Sequence, residues 1–361
     1  KLFEKVIEDY KPDLIFCFQR FFYLDLVCKK KKVDLFHFAP ARFGNLYFVC
    51  DKFHNNSSIL EKSISENLNK KFDDKVEDIL LEQVWYGTKN NQIRFSKLNL
   101  IKNIINFFLK GIKQNLSKKI NNNLTERVSS SVWIQNEVNG YLNFKKYLKF
   151  SKNKKLDINT HYAYFSLHME PEKTTQHFAN EFNNSLEIIT WISKCLPANY
   201  FLVIKEHPKA FNMRDNNFYE KISSISNVIL ASPYDHSWEL IKGSSFVVGI
   251  NGTSITEAVY LKKEVISYVD NMFFNLFTTV YSCKSYFDTK KIINKIIQTS
   301  ATEIILNNNR NTLIKSINEH SFEIENIQDI KYGKSESNIF LFKEITKRIN
   351  DFLILNNKFK I

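Results

Sequence analysis

The stretch Ser245-Phe246-Val247-Val248-Gly249-Ile250-Asn251-Gly252-Thr253-Ser254 reads as a buried strand that stops at a glycine turn and opens directly into a helix. The strand runs from Ser245 to Ile250, Gly252 permits a tight turn, and Thr253 and Ser254 begin a helix that continues to Leu261. Such a turn aims unpaired backbone N–H groups and two hydroxyls at one point, a cradle suited to phosphate. The same hydroxyl residues can serve as plain helix caps. Glu257, three residues after Ser254, can close a capping box or accept hydrogen bonds from a ribose.

Working outward, similar strands are predicted at His161–Ser166, Tyr200–Lys205, Asn227–Ala231 and Glu264–Val269. Between them lie helical patterns at Gln176–Cys195, Phe218–Ile225, Ser237–Lys242 and Ser254–Leu261. Strict alternation of this kind predicts a doubly wound α/β domain with a parallel sheet. Ligands of such sheets bind beyond the carboxyl ends of the strands, and three of these ends are chemically loaded. They are His168-Met169-Glu170-Pro171-Glu172, Lys205-Glu206-His207-Pro208 and Asn251-Gly252-Thr253-Ser254. Pro208 holds His207 in an extended conformation at its strand end. A histidine there can donate to a phosphate oxygen and, when protonated, stabilise charge on a departing nucleotide.

The opening of the chain reads as a helix (Lys1–Tyr10), a buried strand (Asp13–Phe18), a helix ending in the basic run Lys29–Lys32, and a strand (Val33–Phe38). This rhythm predicts a parallel sheet with crossover helices, the later part of a Rossmann-like domain. Because the chain opens on Lys1, that domain is read as incomplete. The region from about Asn55 to Lys155 turns helical and polar. Within it, Leu98–Ile120 carries Leu100, Ile101, Ile104, Ile105, Phe108, Leu109 and Ile112 at helical spacing among lysines, a basic amphipathic helix. Its apolar side packs on the domain or docks on a membrane surface. The lysine-rich stretch Phe144–Lys155 is the expected interdomain connection. The organisation is therefore an N-terminal, acceptor-side domain (1–155), a nucleotide-sugar-binding domain (156–335), and a terminal segment (336–361) whose helix crosses back toward the first domain.

Composition sets the limits. A chain of 361 residues, 43% hydrophobic, with 32 Phe and 16 Tyr but only 8 Gly and 6 Pro, buries a large core and has little room for linkers. A formal charge of +13 favours polyanions or anionic surfaces without naming one. The five cysteines are scattered through apolar stretches, the pattern of buried thiols in a reducing cytoplasm rather than of a disulfide framework or a metal knot. No run of 18 apolar residues spans a bilayer.

Three segments together carry a family resemblance: Tyr164-Phe165-Ser166-Leu167-His168-Met169-Glu170-Pro171-Glu172, Val203-Ile204-Lys205-Glu206-His207-Pro208, and Gly249-Ile250-Asn251-Gly252-Thr253-Ser254 followed by Glu257-Ala258. In order and spacing they resemble bacterial capsule and surface polysaccharide biosynthesis proteins, a group with the two-domain GT-B fold that includes transferases of Kdo-type sugars. The likeness covers residues 161–270 and is fainter at Ala39-Pro40-Ala41-Arg42-Phe43-Gly44. It implies that His207 contacts the donor phosphate, that Thr253 and Ser254 do likewise, and that Glu257 sits near the ribose. The segment after the Glu-bearing helix reads Lys262-Lys263-Glu264-Val265 and lacks the family's glycine and proline. A catalytic carboxylate is implied on the N-terminal domain and has no assigned position.

The expected function is transfer of a sugar from a nucleotide donor, CMP-linked by the resemblance, to a surface glycan. The expected catalytic residues are His207 and Glu172. Donor binding is assigned to His168, Glu170, Lys205, His207, Asn251, Gly252, Thr253, Ser254 and Glu257. No metal or other cofactor is expected, since His and Lys can neutralise a phosphate and the Asp-x-Asp signature is not evident. The partners are the nucleotide-sugar, a glycan or lipid-linked acceptor and a peripheral membrane contact, placing the chain in the cytoplasm at the inner face of the membrane. A nucleotide-sugar epimerase on the same architecture and a non-catalytic polyanion-binding protein are the alternatives. Against the latter, no nucleic-acid-binding signature is present.

Overall fold

Two β-sheets organise the computed structural model, which describes residues 2–17, 21–52, 56–70, 72, 76–78, 95–118, 130–152, 160–170, 179–324 and 335–355. The first sheet begins with α1 (Leu2–Tyr10), β1 (Leu14–Cys17), α2 (Phe22–Lys31), β2 (Asp34–Pro40) and β3 (Leu46–Cys50). Strands β1 and β2 are parallel, as their crossover helix requires. Strand β3, which was not expected, returns antiparallel to β2. The reason is chain length: the connection between Pro40 and Leu46 is too short for a crossover, so the chain must double back. The expected all-parallel first sheet is therefore mixed.

Next come α3 (Ser58–Leu68), α4 (Lys97–Lys118) and α5 (Ser130–Ser151). Helix α5 replaces most of the connection expected at Phe144–Lys155, while residues 153–155 lie outside the described part. Phe144 and Tyr147, one turn apart, are buried against the second sheet, and the Tyr147 hydroxyl donates to the Ala231 carbonyl at 2.7 Å. The lysines that suggested a solvated connection cover the outer side, where Lys145 and Lys149 are exposed.

The second sheet contains β4 (His161–Ser166), α6 (Ser185–Cys195), β5 (Tyr200–Lys205), α7 (Phe218–Ser223), β6 (Val228–Leu230), α8 (Ser237–Gly243), β7 (Phe246–Gly249), α9 (Thr253–Tyr260), β8 (Val265–Ser267) and β9 (Val280–Ser282). Its six strands run in the order β6-β5-β4-β7-β8-β9, all parallel. The interior of β5 and all of β7 are buried, as expected for strands covered by helices on both faces. Strand β9 was not predicted; its burial falls from Val280 to an exposed Ser282, so it lacks the continuous apolar run of the other strands. Helices α10 (Tyr286–Gln298) and α11 (Glu303–His320) follow, then β10 (Phe322–Glu323), which joins β3 antiparallel, and α12 (Ser335–Leu355). On α12, Ile345, Ile349 and Phe352 form a core with Phe36, Phe38, Val49 and Phe322 of the first sheet and with Ile324 just beyond β10.

One hydrophobic cluster runs through both sheets and contains Phe43, Phe48 and Leu60 together with Tyr164, Ile255 and Tyr260. At its margin, the buried Asn56 side chain donates to the Asn271 carbonyl and accepts from the Phe273 backbone N–H at 3.0 Å. All five cysteines are free, four of them buried. No described helix is long and apolar enough to cross a membrane.

Candidate functional site

In the second sheet, β5 and β6 lie to one side of β4, and β7, β8 and β9 to the other. The strand order therefore reverses between β4 and β7, and the crevice at their carboxyl ends is where open α/β sheets place ligands. The residues beyond these two strands meet directly. His168, after β4, accepts a hydrogen bond on Nε2 from the Asn251 backbone N–H at 3.3 Å. A Cβ on Gly252 would lie 3.0 Å from His168 Cε1, and the glycine has φ +124°. Gly252 is thus required both by its backbone conformation and by the approach of the imidazole.

Gly252, not a hydroxyl residue, is the N-cap of α9, and no side chain caps that helix. Thr253 and Ser254 are its first helical residues, so the plain-cap reading does not hold here. The capping box is not formed either, because Glu257 interacts instead with the Trp238 side chain. Beneath the turn the Asn251 amide is fully buried, and neither its nitrogen nor its oxygen is hydrogen-bonded to a described residue. Buried polar groups are ordinarily satisfied, which makes this amide a candidate contact for the polar group of a ligand.

Strand β5 delivers Lys205 and His207 to the same rim. Lys205 is buried, its ammonium 3.5 Å from the Ser237 hydroxyl, and burial lowers its pKa against the pull of Asp235 and Glu257. His207 Nδ1 accepts from the Lys209 backbone N–H at 3.2 Å. Burial lowers the pKa of this imidazole, so it is neutral near pH 7, and with Nδ1 serving as acceptor its proton resides on Nε2. It is therefore a neutral donor rather than the protonated form considered from sequence.

The position of these ends depends on Arg214, which sequence reasoning missed. Its side chain is buried and pairs with Glu206 through Nε–Oε2 at 2.8 Å and Nη2–Oε1 at 3.0 Å. It also reaches Glu170 through Nη1 at 2.9 Å and donates to the His168 carbonyl. Glu206 further accepts from the Tyr219 hydroxyl at 2.7 Å and from the His207 backbone N–H at 2.8 Å. The other Glu170 oxygen accepts from the Ser185 backbone and hydroxyl. Glu170 thus braces the β4 end within the protein instead of presenting its carboxylate to a donor. Nothing in the run Asn212-Met213-Arg214-Asp215 distinguishes this arginine from a solvated loop residue.

Glu257 is the remaining titratable group of the rim. Burial pushes its pKa up to about 7, opposed by the Trp238 side chain and by the charges of Lys205 and Arg42. A carboxyl that exchanges its proton near neutrality suits acid–base work as well as hydrogen bonding to a sugar hydroxyl. The structure therefore brings together His168, Lys205, His207, Asn251, Gly252, Thr253, Ser254 and Glu257. Glu172 lies outside the described residues. Among the described residues no cluster of His, Cys, Asp and Glu could hold a metal ion.

The fold is α/β, with a mixed first sheet, an all-parallel, helix-flanked second sheet, and a polar crevice at the switch point of the second. No family model matches the chain, and no curated protein matches it. Solved structures with a related chain course include KpsC, beta Kdo 2,7 transferase, of Thermosulfurimonas dismutans, 9% identical over 90% of this chain and 83% of that one, with a TM-score of 0.45. The UDP-GlcNAc 2-epimerase of Methanocaldococcus jannaschii is 14% identical, covering 86% and 78%, with a TM-score of 0.35. That of Neisseria meningitidis bound to UDP-GlcNAc is 16% identical, covering 88% and 78%, with a TM-score of 0.32. These likenesses concern the course of the chain and say nothing of its activity.

Two outcomes are expected. Replacing Arg214 by Leu strands the Glu206 carboxylate in the interior, and urea unfolding should register a loss of about 3–5 kcal/mol; an unchanged midpoint would remove the brace from this account. The second concerns acid. Burial lowers the His168 pKa from 6.5 to about 3, so between those values the unfolded chain binds a proton that the folded one does not. Stability is then fully present above pH 6.5 and falls as the pH drops toward 3. With allowance for the partial exposure of this side chain, the loss by pH 4 is on the order of 1–3 kcal/mol. His168→Gln should flatten this decline in urea titrations at stepped pH; an identical slope in both proteins would show that His168 does not cause it.

Proposed function

We propose that the chain is a glycosyltransferase that moves a sugar of the Kdo type from a CMP-linked donor to a surface polysaccharide acceptor. The supporting observation is the meeting of His168 and the Asn251-Gly252 turn at the strand-order reversal, with Lys205 and His207 on the same rim. In this reading residues 156–335 bind the donor, residues 1–155 face the acceptor, and the helix of 336–361 ties the two together. The donor phosphate lies at the start of α9, where the uncapped N–H groups, the Thr253 and Ser254 hydroxyls, the Lys205 ammonium and the His207 Nε2–H converge on it. As the bond from sugar to phosphate breaks, negative charge grows on the phosphate oxygens, and these fixed donors stabilise it without rearrangement. Glu257 accepts from the ribose hydroxyls.

The acceptor side is proposed to work at a membrane. Helix α4 packs its inner face on α5 through Phe107, stacked on Trp133 at 5.6 Å, and through Asn103, bonded to Glu137 at 2.9 Å. Its other side leaves Leu98 80% and Phe108 61% exposed, with Ile101, Ile105 and Ile112 in the same stripe and Lys102 and Lys110 exposed on the helix. An apolar stripe with lysines suits an anionic lipid surface, at the inner face of the cytoplasmic membrane.

The donor reading is tested by titrating the protein with CMP, UDP and GDP while following its melting temperature, since a ligand of the native state alone must raise it. CMP should give the rise, and His207→Ala should weaken binding by about 1.5–3 kcal/mol while leaving the unliganded melting temperature close to the parent's. Equal transfer by a folded His207→Ala protein would misplace the donor site, and conversion of the nucleotide-sugar without any acceptor would make the protein an epimerase. For the lipid surface, the parent should sediment with phosphatidylglycerol vesicles and not with phosphatidylcholine ones, and Ile105→Asp with Phe108→Asp should abolish this. No sedimentation of the parent with either would remove the membrane from the reading.

A further inference from the structure

Four non-glycine residues occupy the left-handed region of backbone space: Lys11, Lys32, Arg42 and Lys262. Three have an ordinary reason. Lys11 follows α1, Lys32 caps α2, and Lys262 lies just beyond α9, the places where helices end in that conformation. Arg42 ends no helix. It sits in the β2–β3 return with φ +74°, a conformation that strains a side-chain-bearing residue and that glycine adopts freely. The return itself is rigid, held by the Ala41 N–H on the Leu46 carbonyl at 2.8 Å and the Leu46 N–H on the Phe43 carbonyl at 3.1 Å.

Packing sets this strained residue beside the crevice. Ala41 and Phe43 on either side are fully buried. The Phe43 ring packs edge-on against Tyr260 of α9, with centroids 5.5 Å apart. Tyr260 lies one helical turn beyond Glu257, so the return stands beside the face of α9 that carries the candidate donor residues. Arg42 is itself only partly buried, and its charge acts on both Glu257 and His168, which belong to two different strand ends of the second sheet. Strain at a fixed backbone position, in a residue facing a crevice, is where a functional side chain is held at the expense of stability.

We propose that Arg42 is a donor-binding residue supplied by the first sheet, its guanidinium gripping an oxyanion of the bound nucleotide-sugar beside α9. The assignment rests on the donor reading above and extends it, since every other donor residue comes from the second sheet. A guanidinium offers paired N–H groups that fit either a phosphate or the carboxylate of an acidic sugar, geometry that a lysine cannot reproduce.

The test uses Arg42→Gly, which relieves the backbone strain while deleting the fork, with Arg42→Gln as a second variant should the glycine loosen the return. Calorimetric titration of the full chain with CMP and with CMP-Kdo is the readout, beside the melting temperature. The variant is expected to melt close to the parent and to bind about ten- to a hundredfold more weakly, with Arg42→Lys between the two. A loss seen with both ligands places the guanidinium on the phosphate, and a loss seen only with CMP-Kdo places it on the sugar carboxylate. Parent-like affinity for both ligands in folded Arg42→Gly or Arg42→Gln would overturn the assignment and leave the donor reading intact. A parent that takes up none of CMP, UDP, GDP or CMP-Kdo would sink both.

Discussion

The buried pairing of Arg214 with Glu206 and Glu170 is the constraint on which the crevice depends. Parallel strands end independently, and nothing in sheet hydrogen bonding dictates how their outgoing loops lie. Arg214 removes that freedom by holding the Glu170 carboxylate, the His168 carbonyl and the Glu206 carboxylate at once. Charges buried in this way stabilise only when they are fully satisfied, and Tyr219 and the His207 N–H complete the set around Glu206. Rigidity at the rim is thus built beneath the side chains that line the crevice.

Charge in the crevice is arranged by burial as much as by residue type. His168 and His207 are kept neutral, Lys205 is pressed toward neutrality, and Glu257 is held near its titration point. A bare crevice lined only with fully charged cations would be costly to keep partly dry. A bound anion would favour the protonated form of each of these groups, charging the imidazoles and the lysine and neutralising Glu257, which would couple protonation of the crevice to its occupancy.

The second sheet was legible because its strands are apolar runs closed by glycine, proline or polar turns, and because alternation with helices permits few topologies. The same logic assigned His168, Lys205, His207 and the Asn251–Ser254 turn to the carboxyl ends of these strands. It failed for β3, where a short connection overrode the expectation of a crossover, and for Phe144–Lys155, where lysines on the outer face hid a helix whose inner face carries Phe144 and Tyr147. It also misjudged Glu170, because a carboxylate's partner cannot be read when that partner, Arg214, lies more than forty residues further along the chain. Arg42 was visible only as part of a faint motif. Its significance lies in a backbone angle, and no residue pattern reports an angle.

The seam between the sheets has a bearing on how any ligand gets in. Tyr260 touches Phe43 on one side and Trp238 on the other, while the Arg310 guanidinium lies over its ring at 4.9 Å. Asn56 spends both ends of its amide on the backbone around Asn271 and Phe273. Swinging the two halves apart would wet an aromatic stack and strand those polar groups together, so the seam acts as a weld and not as a hinge. Whatever enters the crevice then does so with the two sheets held together.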